Sequence, residues 1–342
     1  MAKTTIVVGA GASCGFGLPT GPQLNGLIAE MVSTRVNEWG ETIWTDDHFN
    51  RSFRKWPGIS GQELSQASQL IAKGIRLHPS PDDFLYAFGE NESVIVAGKA
   101  AIAAAILKQE GRGWLAKLLD HEPEKSDKLL ADHAECWPLQ LIRLLSPGLR
   151  RSEASSLFRE ISFVNFNYDR CLEHIFYHAL QRSHGVSTEE AAAIVSDIEI
   201  IHPYGRVAPL PWQSSIGAVP YGGSHAGHLE ALATSIHTLT EAHHTEEERD
   251  QIGRTMTASA RVVFLGFGFH RQNMDLIRAN PHVTQGWRAR TFATAMGTSH
   301  SQREVFSHRM SEALQLGART PTLVDRDCEG FFNDFGLEAF SK

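Results

Sequence analysis

Short runs of β-branched and aromatic residues alternate along this chain with longer segments that carry apolar residues at helical spacing. Residues 22–35 are an example, because Leu24, Leu27 and Ile28 fall on one helical face. The runs that predict strands are residues 4–8, 161–165, 198–201, 261–265, 290–295 and 321–324. The helices predicted between them include residues 22–35, 168–180 and 272–279. This alternation is typical of a parallel sheet with crossover helices.

The stretch from about residue 39 to residue 150 differs, because it has helical spacing and almost no strand pattern. Helices are predicted there over residues 62–75, 81–88, 93–110 and 134–145, the second with Ser80 as its N-cap. We therefore expect a doubly wound, Rossmann-like α/β domain with a mainly parallel sheet. It would comprise residues 1–35 plus 155–342 and carry a large all-helical insertion over residues 36–154.

Composition and charge narrow the class of protein. The 342 residues are 42% hydrophobic, and the net charge of −7 provides no basic field for a nucleic acid backbone. Gly9 interrupts the first apolar run, and the apolar segment at residues 94–107 is shorter than the ~20 residues that a membrane span needs. We expect a cytoplasmic protein that contacts no membrane and binds no nucleic acid directly.

The cysteines and histidines form no metal-binding pattern. The four cysteines contain no Cys-x-x-Cys pair, which argues against a zinc site or a disulfide framework and favours free, mostly buried thiols. Five histidines crowd one region, namely His225, His228, His237, His243 and His244. The last two run into Thr245 and an acidic segment, which is typical of a solvated helix start capped by that threonine. We expect no bound metal.

The segment after the first predicted strand has the strongest functional pattern. It begins with Gly9, Ala10, Gly11, Ala12 and Ser13 and continues with further glycines at positions 15 and 17. Small residues let backbone N–H groups approach a pyrophosphate, and a helix beyond them directs its positive end at the same anion. The loop therefore predicts a nucleotide ligand. The alternative is a tight strand-to-helix turn whose glycines serve packing only.

Three later predicted strands also end in polar or glycine-rich segments. These are residues 165–169 (Asn-Phe-Asn-Tyr-Asp), 202–205 (His-Pro-Tyr-Gly) and 266–270 (Gly-Phe-Gly-Phe-His). Ligands of open α/β sheets bind outside the carboxyl ends of the strands. We therefore expect these exits and the glycine loop to converge on one rim.

Taken in order, the four exits resemble those of the sirtuin-like superfamily. Residues 9–13 with 17–19 resemble the family's nucleotide loop, 166–169 its Thr-x-Asn-x-Asp exit, 201–205 its His-Gly exit and 266–269 its later glycine turn near the adenosine. The resemblance implies an NAD site. The residues that it places against the dinucleotide are Gly9, Ala10, Gly11, Ala12, Ser13, Asp169, Gly266 and Gly268.

Two departures from the deacylating sirtuins refine this resemblance. Thr20, Gly21 and Pro22 stand where those enzymes have Asp-Phe-Arg, and the zinc module of paired cysteines is missing. What remains is similar to the prokaryotic sirtuin-like NAD glycohydrolases of anti-phage defence, in which a helical insertion replaces the zinc module. The resemblance implies that NAD+ is a substrate, not a cofactor, and is hydrolysed to nicotinamide and ADP-ribose to deplete the infected cell.

Two residues are predicted to be catalytic. The Asn167 amide both donates and accepts, so it can orient a ribose hydroxyl or a water, although an Asx turn is the alternative. His202 is predicted to be the general base because histidine exchanges protons near neutral pH, and a structural role is its alternative. Asp169 fits an N-cap equally well. Asp82 and Asp83, in the first turn of a predicted helix, are assigned no chemistry.

Partners and other functions follow from the same reasoning. Unrestrained NAD hydrolysis would harm the cell, so we expect gating by a homo-oligomer and by a separately encoded partner such as an ATPase or a nucleic-acid sensor. A sensor that binds NAD or ADP-ribose without cleaving it, and a scaffold whose rim residues serve only caps and turns, are the alternatives. A nucleotide-dependent melting temperature would argue against the scaffold, and nicotinamide release against the sensor.

Overall fold

A computed structural model describes residues 3–224, 227–238, 246–278, 289–317 and 319–340. The strands in these ranges are β1 (Thr4–Val8), β2 (Thr34–Val36), β3 (Thr42–Trp44), β4 (Ile161–Asn165), β5 (Glu199–Ile201), β6 (Arg261–Leu265), β7 (Arg290–Thr294) and β8 (Thr322–Val324). The α-helices are α1 (Gly21–Met31), α2 (Asp47–Phe53), α3 (Gly61–Gly74), α4 (Pro81–Ala87), α5 (Glu92–Glu110), α6 (Pro123–Asp132), α7 (Trp137–Leu145), α8 (Cys171–Ser183), α9 (Thr188–Ser196), α10 (Leu229–Thr234), α11 (Glu246–Thr257), α12 (Arg271–Leu276), α13 (His300–Ala313) and α14 (Cys328–Phe340).

Six of the strands form one parallel sheet in the order β5-β4-β1-β6-β7-β8. Numbered within this sheet along the chain, the order is 3-2-1-4-5-6, which is that of Rossmann-type folds. The register sets Val8 of β1 beside Asn165 of β4 and Leu265 of β6, so the three strands end level with one another. Between β1 and β6 the strand order reverses, and a crevice opens there. The predicted Rossmann-like α/β fold is confirmed.

Burial explains why the strands are visible in the sequence. All five residues of β1 and of β4 are buried, because helices cover both faces of a parallel sheet. Such strands appear as short continuous apolar runs. Consequently β1, β4 and β6 have the predicted bounds, and β5, β7 and β8 are each one residue shorter than predicted.

Several helix boundaries differ from their predictions; α7, for example, begins at Trp137 and not at residue 134. Two of the differences have a clear structural reason. α1 ends at Met31 and not at residue 35, because the chain enters β2 at Thr34 and pairs with β3. α8 begins at Cys171 and not at residue 168, because residues 166–170 form the exit loop of β4. α12 ends at Leu276, although its prediction extended to residue 279. Thr245, the predicted cap, lies outside the described residues.

The segment between α1 and β4 carries helices α2 to α7 together with the antiparallel pair β2–β3, which the prediction of an all-helical insertion lacked. These strands have three residues each, too few for a visible alternation. α5 is buried on all sides and packs against α1, α3, α4 and α10. Because α1 and α10 belong to the predicted sheet domain, one hydrophobic core crosses both proposed boundaries. The division at residues 35 and 155 stays a prediction.

The described ranges contain neither a candidate membrane span nor a candidate metal cluster. No helix there combines the length and the apolar surface that crossing a bilayer requires. No group of three or more His, Cys, Asp or Glu side chains in these ranges could hold a metal ion, and His225, His243 and His244 fall outside them. The four cysteines are free thiols, exposed at Cys14 and buried at Cys136, Cys171 and Cys328.

Candidate functional site

A cavity of about 390 Å³ lies at the carboxyl ends of the parallel strands. Its size is within the ~300–1,000 Å³ of typical small-molecule sites. The wall comes from the glycine loop, the starts of α1, α4 and α14, and the exits of β4, β5, β6 and β7. The predicted convergence of the strand exits on one rim is confirmed. The starts of α1 and α14 face the same space, where their positive ends favour an anionic ligand.

The two glycine turns pack directly against each other beside this cavity. The Gly11 N–H donates to the Gly266 carbonyl oxygen at 2.9 Å. A Cβ at Gly9 would lie 2.7 Å from that oxygen, and a Cβ at Gly266 would lie 2.0 Å from the Ala12 nitrogen. Only glycine permits this approach. Close packing of the two turns is therefore enough to explain why glycines stand at these positions. Phosphate binding by the loop stays a prediction.

The residues predicted to bind NAD are distributed between the wall and the layer behind it. On the wall lie Gly9, Ala10, Gly11, Asp169, Gly266 and Gly268. Ala12 and Ser13, which belong to the same loop, are buried and do not line the cavity. The structure therefore brings six of these eight residues together on one wall.

Asn167 lies on the wall with a fixed amide orientation. Its Nδ2 donates to the Gly9 carbonyl oxygen (3.1 Å) and to Ser13 Oγ (3.0 Å). Since a carbonyl oxygen can only accept, the amide nitrogen must lie on that side. Among the described residues none donates to Asn167 Oδ1, which therefore keeps its lone pairs for a ligand. The Asx turn at this exit is made by Asn165, whose Oδ1 accepts from the Asn167 N–H.

A short hydrogen-bond chain supports Asn167 from below. Ser13 accepts from the Asn167 amide and donates to the Asp169 carboxylate, and the Cys171 N–H also donates to Asp169. Burial raises the pKa of the Asp169 carboxyl, while these two donors oppose the shift. Asp169 lies one position before Arg170, the N-cap residue of α8, so it is not the predicted N-cap, although it accepts from the first N–H of the helix. It also orients Ser13 and, through Ser13, Asn167.

His202 does not line the cavity, and the geometry does not support its predicted role as general base. Its Nδ1 lies 3.3 Å from the Asn167 carbonyl oxygen and its Nε2 lies 3.1 Å from Glu173 Oε1. Both partners are hydrogen-bond acceptors of the protein, so both ring nitrogens are directed at protein oxygens and neither lies on the cavity wall. His202 is directed away from the cavity by a turn in which the Gly205 N–H donates to the His202 carbonyl oxygen at 3.0 Å. Beyond this turn Tyr204, not His202, reaches the wall.

Glu173 links His202 to Arg206, whose guanidinium donates to Glu173 Oε1 at 2.7 Å. Burial raises the pKa of the Glu173 carboxyl, but the neighbouring His202 and Arg206 outweigh it and hold the pKa at about 2, below the usual 4.5. A lowered pKa contributes stability that is complete above about pH 4.5 and is lost as the pH falls towards 2.

We expect Glu173→Gln to be less stable than the wild type by roughly 3 kcal/mol at pH 6, with the gap narrowing steadily below pH 4.5. Urea unfolding of both proteins across this pH range measures the gap. The difference between the two free energies of unfolding excludes the contribution of the other carboxylates, which both proteins share. A gap that stays constant down to pH 3 would contradict the ion-pair explanation.

Three wall residues were missed by the sequence reasoning. The Tyr168 hydroxyl donates to Asp82 Oδ1, and the Tyr204 hydroxyl donates to Asn273 Oδ1 at 2.6 Å. Burial raises the pKa of Asp82 to about 6; the Tyr168 hydrogen bond lowers it and the charge of Asp83 raises it. Tyr204 could have been noticed, since it directly precedes Gly205 in a segment compared with a His-Gly exit. The sequence places Asp82 in the first turn of a predicted helix but does not connect it with the site, because that helix reaches the cavity only through tertiary packing.

The sheet order and the placement of the cavity define the class of this protein, a Rossmann-like α/β protein with a ligand-sized site at the point where the strand order reverses. Comparison with protein-family models finds no family that matches this chain. Comparison with curated proteins finds no match either.

Proposed function

We propose that this protein binds NAD+ and hydrolyses the bond between its ribose and nicotinamide. The observation that carries the proposal is Asn167, which lines a cavity at the switch point of the sheet and whose Oδ1 accepts from no described residue. Nicotinamide leaves as a neutral molecule, so its departure needs no acid. Such a site must hold the ribose, exclude bulk water and direct one nucleophile.

The wall suits these tasks. Asn167 Oδ1 would accept a hydrogen bond from a ribose hydroxyl or from the attacking water. Phe166, Phe267 and Phe306 supply apolar surface that excludes solvent around it. The starts of α1 and α14 offer positive helix ends to the pyrophosphate.

We expect Asn167→Ala to release nicotinamide from NAD+ about a hundredfold more slowly than the wild type, because a positioned polar group at the reacting centre is lost. Chromatography of nicotinamide and ADP-ribose measures the rate. Asn50→Ala is the matched control, since Asn50 lies on α2 and not on the cavity wall, and its Oδ1 accepts from Arg54 at 3.2 Å. An unchanged rate in a folded Asn167→Ala protein would remove the assigned role.

A second candidate is a sensor that binds NAD+ or ADP-ribose without cleaving it. The position of His202 favours it, because both ring nitrogens are engaged away from the cavity. Calorimetry that detects NAD+ binding, with no nicotinamide released under any condition tried, would support the sensor over the enzyme.

The cellular role is proposed on the resemblance alone. NAD+ depletion during phage infection, a homo-oligomer, and a separately encoded ATPase or nucleic-acid sensor as partner all belong to this proposal. Measuring NAD+ consumption by the purified protein, alone and with proteins encoded beside it, tests whether a partner gates the reaction.

A further inference from the structure

Asp82 reaches the cavity from the helical segment between α1 and β4. It lies in the first turn of α4, is partly buried, and forms part of the same wall as Asn167. Its Oδ1 accepts the hydroxyl hydrogen of Tyr168, the residue that follows Asn167. The carboxylate is thereby held against the β4 exit, on the same cavity wall as Asn167.

The other carboxylates of the wall already have structural duties. Each accepts a hydrogen bond at the start of a helix: Asp83 from the Ser80 hydroxyl (2.7 Å), Asp169 from the Cys171 N–H (3.0 Å) and Asp327 from the Gly330 N–H (2.8 Å). The bond of Asp82 to Tyr168 caps no helix. It joins two side chains of the wall that come from distant parts of the chain.

We propose that Asp82 is the general base of this site, the role that the sequence suggested for His202; the inference rests on the proposed NAD+ hydrolysis. The water oxygen forms a bond to C1′ of the nicotinamide ribose. The bond from C1′ to the ring nitrogen breaks, and its electron pair neutralises the pyridinium. The water proton passes to the Asp82 carboxylate and then to solvent, so NAD+ and water give nicotinamide, ADP-ribose and one proton.

The surroundings of Asp82 suit this role. Tyr168 and Tyr204 face it from the exits of β4 and β5, and Asp83 is next to it on α4. The parts of α1 and α5 that line the cavity beside it, Pro22, Leu24 and Ile106, carry no charge. Burial raises the Asp82 pKa to about 6, so the group is mostly ionised at neutral pH and still accepts a proton readily.

The test compares three variants in NAD+ hydrolysis by the full-length protein. Asp82→Asn should lower kcat by about a hundredfold or more while NAD+ binding, measured by calorimetry, is retained. Tyr168→Phe removes a hydrogen bond that lowers the Asp82 pKa. The acid limb of its kcat/KM profile, near pH 6 in the wild type, should therefore move up by about one pH unit. Asp47→Asn is the control, because Asp47 lies exposed in the first turn of α2, also a seven-residue helix.

The outcomes separate the two proposals. An active wild type with an equally active Asp82→Asn variant would overturn the role of Asp82 alone. A wild type that releases no nicotinamide would overturn the proposed hydrolysis and with it this inference. Should Asp82→Asn fail to fold, the pH profile of Tyr168→Phe decides, and an unmoved acid limb counts against Asp82.

Discussion

Replacing Glu110 by glutamine is expected to lower the free energy of unfolding by about 3–5 kcal/mol. Glu110 and Arg170 form an ion pair in which both side chains are fully buried. Glu110 also accepts from the N–H groups of Arg170 and Gly222, at 3.2 and 3.1 Å. The variant would leave the guanidinium buried without its counter-charge, which costs more than the net attraction of the pair.

Urea unfolding measures this loss, and the exposed pair Arg143–Glu135 provides the control. Their side chains are 56% and 68% exposed, so Glu135→Gln should change the free energy of unfolding by less than about 1 kcal/mol. A similar small effect in Glu110→Gln would show that the buried pair is not needed for stability. The pair joins the end of α5 to the residue after Asp169, so its loss should also disturb the cavity.

Gly266→Ala is expected to lower the free energy of unfolding by a similar amount and to abolish the proposed NAD+ binding. Gly266 has a φ of 56°, and its Cβ would come within 2.3 Å of two backbone atoms of the glycine loop. Backbone cannot move aside as the end of a flexible side chain can, so the two turns must separate. Thermal melting and calorimetric titration with NAD+ measure the two effects.

The matched control for this variant is Gly148→Ala. Gly148 has a φ of 85°, but no heavy atom lies within 4 Å of the position of its Cβ. Gly148→Ala should lower the free energy of unfolding only by the cost of the left-handed conformation, about 1–2 kcal/mol, and leave the proposed NAD+ binding unaltered. Equal effects of the two substitutions would show that backbone conformation, and not the contact between the turns, dominates at Gly266.

The strands whose bounds the sequence predicted correctly are those that are buried along nearly their whole length. The strands β1, β4 and β6 lie in the middle of the sheet, and their apolar runs gave bounds that the structure confirms. The pair β2–β3 escaped prediction because its exposed strands of three residues carry little pattern. Helix starts were recognised where a cap is local, as at Ser80, whose hydroxyl accepts from the Asp83 N–H.

The residues of the site also divide into those that local patterns reveal and those that only tertiary packing places. Asn167 could be selected because a residue two positions after the end of a buried strand must lie near the rim. His202 could not be placed correctly, since a single turn at residues 202–205 decides which side chain faces the cavity. Asp82 could not be selected, because it is distant from Asn167 in the chain and only the packing of α4 brings it there.

The amino-acid sequence by itself determined the parallel sheet, the glycine turns and the strand exits that form one rim, because these depend on local periodicity and on the direction of parallel strands. The tertiary structure alone decided which side chains face the cavity. Asp82, Tyr168 and Tyr204 meet there through contacts between distant segments, while His202 is turned towards Glu173. Side-chain direction depends on long-range packing, which local patterns do not encode.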